Sequence, residues 1–235
     1  QRVIDHAPMS SVGGDRGSRR GWHTAWDAVM VVLRRREPRR AEASFAAAWT
    51  AEWTLTVALG VVAFRDGGTA AVGLVFFARL MPAAVLAPVA TSLGDRFPRD
   101  QVLRWTCVMR AVAVAVAAGA LALDAPLIVV YAAAAGATIP FTVFRPAHSA
   151  LLPLLSASPR ELVSAHVVRG LLDSLSAFVG PLVAAILLGL AGPAATFAFV
   201  AAHPALAGWL LTGLRYERDS GAAGGASRHL LADPV

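Results

Sequence analysis

Lysine is absent from this chain of 235 residues, so all 21 basic residues are arginine. Charged residues are scarce as well: they make up 15% of the chain, whereas 57% of the residues are hydrophobic and the mean hydropathy is +0.60. A soluble globular domain has about a quarter charged residues. The chain therefore has too few charges to cover a water-soluble globule, which indicates that lipid is its solvent.

Sequence features of enzymes and of nucleic-acid-binding proteins are also lacking. The chain has a single cysteine, Cys107, which lies inside an apolar run. An intrachain disulfide is therefore excluded, because it needs two cysteines. The six histidines do not have the spacing of metal ligands, and the sequence has neither a glycine-rich phosphate loop nor a serine elbow. The sequence thus predicts no metal, no cofactor and no enzymatic activity. The net charge of +6 comes from arginines at the ends of apolar runs, which argues against a nucleic-acid partner.

Six apolar runs have the length of membrane-spanning helices, which need about 20 mostly apolar residues. They are residues 43–64, 69–93, 102–123, 125–144, 163–190 and 194–214. The turns on one side of the membrane are minimal, whereas residues 34–40, 95–104, 145–160 and 215–218 on the other side are rich in arginine. Arginine excess marks the cytoplasmic side. We therefore predict an all-α protein with six transmembrane helices and both termini inside, in a bacterial plasma membrane.

The flanking segments are predicted to be cytoplasmic. Residues 1–41 form a basic tail that is too polar for a signal peptide, with a short amphipathic helix at residues 22–33. That helix either lies on the anionic membrane surface or covers the cytoplasmic ends of the bundle. Residues 42–215 form the membrane domain, and residues 216–235 are a flexible tail or linker. Residues 146–158 are expected to form a separate interfacial helix, with Ser158 as the N-cap of the fifth span.

Five ionisable side chains lie within the predicted spans, where they are costly and usually face a cavity or each other. They are Glu52, Arg79, Arg110, Arg169 and Asp173. At 1.5 Å per residue, Glu52, Arg79 and Asp173 lie roughly 15 Å deep, near the midplane. We predict a Glu52–Arg79 pair with Asp173 as a second acidic partner, although Asp173 and Arg169 could instead pair along one helix. Arg110 is expected to snorkel to the cytoplasmic surface.

These charges have two interpretations. In one, they line a polar cavity in which Glu52 or Asp173 is the protonatable group that couples proton movement to a substrate. In the other, the pairs only lock the helices together.

Residues 93–99 read Leu-Gly-Asp-Arg-Phe-Pro-Arg. This stretch resembles the signature of the loop between the second and third helices of major facilitator superfamily transporters. Thr91 and Asp100 depart from that signature. Residues 176–185, with Gly180 and Pro181, are similar to the fifth-helix element of its proton-coupled exporters, although Ala184 and Ala185 replace glycines. Residues 144–153 and 161–166 are similar to a run of the exporter branch that contains Pro-Ala, Leu-Leu-Pro, Leu and Ala-Asn, with His166 in place of the Asn. With Glu52 and Trp53 in the first span, the chain looks most like actinobacterial members of the superfamily.

The resemblance covers residues 39–215 and implies one half of a fold with two six-helix halves, each built of 3+3 inverted repeats. It implies that Gly94, Asp95, Arg96 and Arg99 form a cytoplasmic gate. It also implies that Gly180 and Pro181 give the fifth helix a kink and close packing. Glu52, Arg79 and Asp173 would line the central cavity.

The function that follows is a secondary transporter, a proton-coupled exporter of small amphipathic molecules. The missing half would come from a longer reading frame, which the opening glutamine suggests, or from a second chain. Some family members carry a cyclic-nucleotide-binding domain after the second half. The alternative is a non-transporting membrane sensor or anchor coupled to a soluble domain, or an inactive truncation. Midplane charges favour transport, whereas the single half favours the alternative.

Overall fold

Five long α-helices make up most of the structure, a computed structural model that describes residues 29–94 and 97–212. They are α1 (Arg36–Gly94), α2 (Arg99–Ala122), α3 (Leu127–Leu155), α4 (Pro159–Leu190) and α5 (Gly192–Leu210). Residues 29–34 are also helical and precede α1. Each of the five is long and apolar enough to cross a membrane. The described part of the chain is therefore all-helical, and the protein is a multi-pass membrane protein, as the composition predicted.

The 59-residue helix α1 is interrupted at Gly67 and Gly68, which both have non-helical backbone angles. Gly68 has φ +63° and ψ −153°, a conformation that favours glycine. Beyond this point the chain folds back, because Arg79 contacts Glu52, 27 residues earlier. In a straight helix these residues would be about 40 Å apart. We refer to residues 36–66 as arm 1 and to residues 69–94 as arm 2; the first two predicted spans fall on these arms.

Helix α3 differs from the sequence prediction at its C-terminal end. The separate interfacial helix expected at residues 146–158 is not present, because α3 continues through Pro146 and Pro153 to Leu155. Neighbouring helices can compensate for the hydrogen bonds that proline removes. Here the extension packs into the bundle, since Leu151 and Leu152 are fully buried. Hydrophobic packing therefore stabilises α3 as one continuous helix through Pro146 and Pro153, although prolines usually end a helix.

The start of α4 follows the sequence prediction. The backbone N–H of Glu161 donates to Ser158 Oγ over 3.3 Å, so Ser158 is the N-cap. The Glu161 carboxylate accepts from the backbone N–H of Ala157 over 2.6 Å, and Pro159 occupies the first turn. These contacts satisfy N–H groups that would otherwise lack partners at a helix start. The preceding connection, from Leu155, is therefore short and well defined.

Helix α4 packs closely on arm 1 at Gly180, as the resemblance implied. The Thr54 hydroxyl donates to the backbone carbonyl of Gly180 over 3.1 Å, and the Thr50 hydroxyl donates to Ser176 over 3.2 Å. A Cβ atom on Gly180 would lie 2.4 Å from the Cβ of Trp53 and 3.0 Å from the Thr50 carbonyl oxygen. Small residues let helices in membranes approach closely in this way.

We predict that Gly180→Ala lowers the unfolding temperature, because the added methyl group would push α4 away from arm 1. Overpacking of this kind costs about 1–3 kcal/mol. Cys107 is 1% exposed, so the labelling of its thiol by a thiol-reactive dye during heating reports unfolding. Gly189→Ala, on the same helix with open space around it, is the matched control and should not lower that temperature. Equal unfolding temperatures for the two variants would contradict the tight contact.

Candidate functional site

A carboxylate between two arginines forms the centre of the bundle. Glu52 on arm 1 accepts a hydrogen bond from Arg79 Nη2 on arm 2, over 2.6 Å. Its other oxygen accepts from Arg110 Nη2 on α2. The side chains of Arg79 and Arg110 are 2% and 1% exposed, whereas that of Glu52 is 21% exposed. The Glu52–Arg79 pair expected from the sequence is therefore present, and Glu52 is its more accessible member.

The other donors of Arg79 are satisfied by hydroxyl groups. Its Nε donates to Thr138 Oγ1 on α3 over 2.7 Å, and its Nη1 donates to Thr56 Oγ1 on arm 1 over 3.1 Å. Arg79 thus contacts arm 1 and α3 at once, with each of its three nitrogens engaged. A guanidinium held by three acceptors has a defined orientation. These contacts therefore hold the Arg79 side chain in one orientation within the cluster.

Arg110 corrects an expectation from the sequence. Its guanidinium does not snorkel to the surface; it lies 3.8 Å from the centroid of the Phe141 ring and binds Glu52. A close carboxylate and an aromatic face hold the charge inside. The Arg110 Nε and Nη1 atoms have no hydrogen-bond partner in the described part of the chain. Two guanidinium groups share one carboxylate, so the cluster has an excess of positive charge. The unpaired donors of Arg110 can bind one more hydrogen-bond acceptor.

Asp173 does not join this cluster, contrary to the expectation. Its carboxylate accepts from Arg145 Nη2 over 3.0 Å, with side-chain exposures of 32% for Asp173 and 57% for Arg145. The local pair with Arg169 is not formed either, because Arg169 donates to His148 and Ser149. The extension of α3 brings Arg145 alongside α4, and that arrangement was not evident from residue spacing. Asp173 is thus part of a half-exposed pair.

A second polar network lies around His148, which the sequence placed in a separate interfacial helix and which lies within α3. The carbonyl oxygen of Ala41 lies 2.9 Å from His148 Nε2, so this nitrogen donates and Nδ1 accepts from Arg169 Nη2 over 2.6 Å. The imidazole packs against Phe45 and Phe144. The network joins α1, α3 and α4. It holds these helices together, and only the folded course of α3 reveals it.

The proposed gate motif lies at the connection between α1 and α2. Gly94 is the last residue of α1, and Arg99 is the first residue of α2. Asp95 and Arg96 lie outside the described residues. The role of these four residues as a gate stays a prediction.

No protein-family model matches the chain, and a search of the curated proteins finds no match. What the cluster does is therefore inferred from its own geometry.

We predict that Glu52→Gln lowers the unfolding temperature more than Arg110→Met does. The first change leaves two buried guanidinium groups without their carboxylate, whereas the second leaves one matched pair. Removing one partner of a buried ion pair costs about 3–5 kcal/mol. Dye labelling of Cys107 during heating measures both effects. A larger drop in unfolding temperature for Arg110→Met than for Glu52→Gln would contradict an excess of positive charge in the cluster.

Asp173→Asn should change the unfolding temperature little, because exposed ion pairs contribute about 0–1 kcal/mol. Arg145→Gln removes the other member of this ion pair, on α3, and should change the unfolding temperature equally little. A loss as large as that of Glu52→Gln would show that Asp173 belongs to the interior network after all.

Proposed function

We propose that the protein is a secondary active transporter, a proton-coupled exporter of small amphipathic molecules. The observation that supports this function is the position of Glu52, a partly accessible carboxylate between two buried arginines from other apolar segments. Ionisable groups inside a membrane are costly and usually serve substrate or ion movement. A helix bundle that serves only as an anchor has no need of them.

Glu52 supplies the chemistry of coupling. In its charged form it holds arm 1 to arm 2 through Arg79 and to α2 through Arg110. A proton on the carboxylate removes its negative charge, which weakens both ion pairs at once. Protonation is thereby linked to the packing of three segments, and such linkage is reciprocal between two binding events. Substrate binding beside the arginines would favour proton uptake or release at Glu52.

The proposed topology has six crossings, with each arm of α1 counted as one crossing and both termini in the cytoplasm. The fold-back at Gly67 and Gly68 supports two crossings within α1. By its sequence resemblance, the bundle corresponds to the N-terminal half of a major facilitator in a bacterial plasma membrane. The opposing half would come from the same reading frame or from a second chain. Substrate would then bind between the halves.

The test is transport in everted membrane vesicles from cells that express the complete reading frame. Fluorescent amphipathic dyes with positive, negative and no net charge are the substrates, and an imposed proton gradient is the energy source. We expect gradient-dependent accumulation of at least one dye, and we expect Glu52→Gln to abolish it. Asp124→Asn is the matched control, because Asp124 is exposed at the α2–α3 turn, where asparagine also accepts the positive φ.

Two outcomes would contradict the proposal. If Glu52→Gln accumulates dye as fast as the unmodified protein, Glu52 only holds the helices together. If no dye moves with either protein, the exporter function fails, and a membrane sensor or anchor becomes the better explanation.

A further inference from the structure

Glu42, on arm 1, is a buried residue whose carboxylate has no hydrogen-bond partner among the residues that the structure describes. Its side chain belongs to a residue that is 3% exposed, and neither carboxylate oxygen has a hydrogen-bond partner in the described part of the chain. An unpaired charge in such surroundings is strongly unfavourable. The group therefore either carries a proton or accepts from a donor outside these residues. Glu52, ten residues later on the same arm, shows the contrast, since it accepts from two arginines.

Glu42 lines a cavity of about 350 Å³ between the helical residues 29–34, arm 1 and α4. This volume lies within the range of sites for small molecules, about 300–1,000 Å³. Apolar side chains form nearly all of the remaining wall, among them Leu33, Ala46, Val168, Leu171 and Leu175. The cavity thus combines an apolar wall with one carboxylate, from Glu42, and one guanidinium, from Arg39.

Two arginines lie near this carboxylate, and neither donates to it. Arg39 also lines the cavity but is exposed to solvent. Arg169 is close enough to attract Glu42, yet its Nη1 and Nη2 atoms donate to Ser149 and His148. Both carboxylate oxygens are enclosed at the cavity wall and have no donor among the described residues, so a ligand in the cavity reaches them only after neighbouring side chains shift.

We propose that the cavity binds an amphiphilic primary ammonium, with its N–H groups on Glu42 and its apolar body against α4. An ammonium offers three donors, and a carboxylate only accepts, so the two groups complement each other. An anion or a neutral apolar molecule would leave Glu42 without a hydrogen-bond donor. Free amphiphilic amines and aminophospholipid headgroups share this chemistry. The binding does not depend on transport through Glu52.

The test uses the full chain in phosphatidylcholine nanodiscs. The probe is a dansyl fluorophore on a five-carbon primary amine, and its N-acetylated form is the uncharged counterpart. We expect saturable binding of the amine, and we expect Glu42→Gln to weaken it on the order of tenfold to a hundredfold, as for a lost hydrogen bond to a charged group. Glu37→Gln, which removes an acidic group of the same arm outside the cavity wall, should not change the binding.

A second variant keeps the test decisive if Glu42→Gln fails to fold, as judged from dye labelling of Cys107. Ala46→Phe places bulk in the cavity while leaving Glu42 intact, and it should also abolish binding. The proposal is overturned if the acetylated probe binds as tightly as the amine, or if folded Glu42→Gln binds the amine normally. The same holds if the Ala46→Phe variant folds and binds the amine normally.

A further comparison distinguishes the two sources of the ammonium. In nanodiscs that contain phosphatidylethanolamine, weaker binding of the probe to the unmodified protein would identify a lipid headgroup as the ligand. Unchanged binding would identify a free amphiphilic amine. Both results support the site, because both presuppose amine binding that depends on Glu42.

Discussion

The double ion pair of Glu52 is the interaction on which the rest of the bundle depends. It joins arm 1, arm 2 and α2 at one point, and Arg79 extends the contact to Thr138 on α3. In a membrane there is little hydrophobic driving force between helices, so close packing and polar contacts must hold them together. Two arginines without this carboxylate would be isolated charges in an apolar interior. Their burial is acceptable only because one acidic group serves both.

Arm 1 is consequently the central element of the structure. At the level of Glu52 it contacts arm 2 and α2, and at Thr54 it meets α4 so closely that Gly180 has no room for a side chain. At its N-terminal end, the Ala41 carbonyl accepts from His148 on α3. Helix α5 is attached differently, through apolar and small residues such as Phe197 and Gly208. The polar contacts thus define how the other helices lie around arm 1.

The two glutamates of arm 1 have opposite surroundings. Glu52 has more positive charge around it than it can neutralise, and two nitrogens of Arg110, Nε and Nη1, have no partner among the described residues. Glu42 has no donor within bonding distance among residues 29–94 and 97–212, and it lines a largely apolar cavity. Arm 1 therefore carries one site, at Glu52, that lacks hydrogen-bond acceptors and another, at Glu42, that lacks hydrogen-bond donors. An exporter of amphipathic molecules would use groups of both kinds, although each can be tested without the other.

The sequence by itself determined the class of the protein. Low charge and long apolar runs predicted a multi-pass helical membrane protein, because an apolar chain must satisfy its backbone groups within helices. Counting residues along the runs also predicted the pairing of Glu52 with Arg79, since both fall at the same depth. Ser158 was recognisable as an N-cap because capping depends on neighbouring residues only.

Only the tertiary structure decided the surroundings of Arg110, Asp173 and Glu42. Depth along a helix follows from residue number, but the direction in which a side chain points toward its neighbours depends on how helices pack. Arg110 turned inward because Glu52 and Phe141 face it, and Asp173 met Arg145 because α3 continues past its prolines. No role was predicted for Glu42 from the sequence, and only the packing of residues 29–34 and α4 places it at the wall of a cavity.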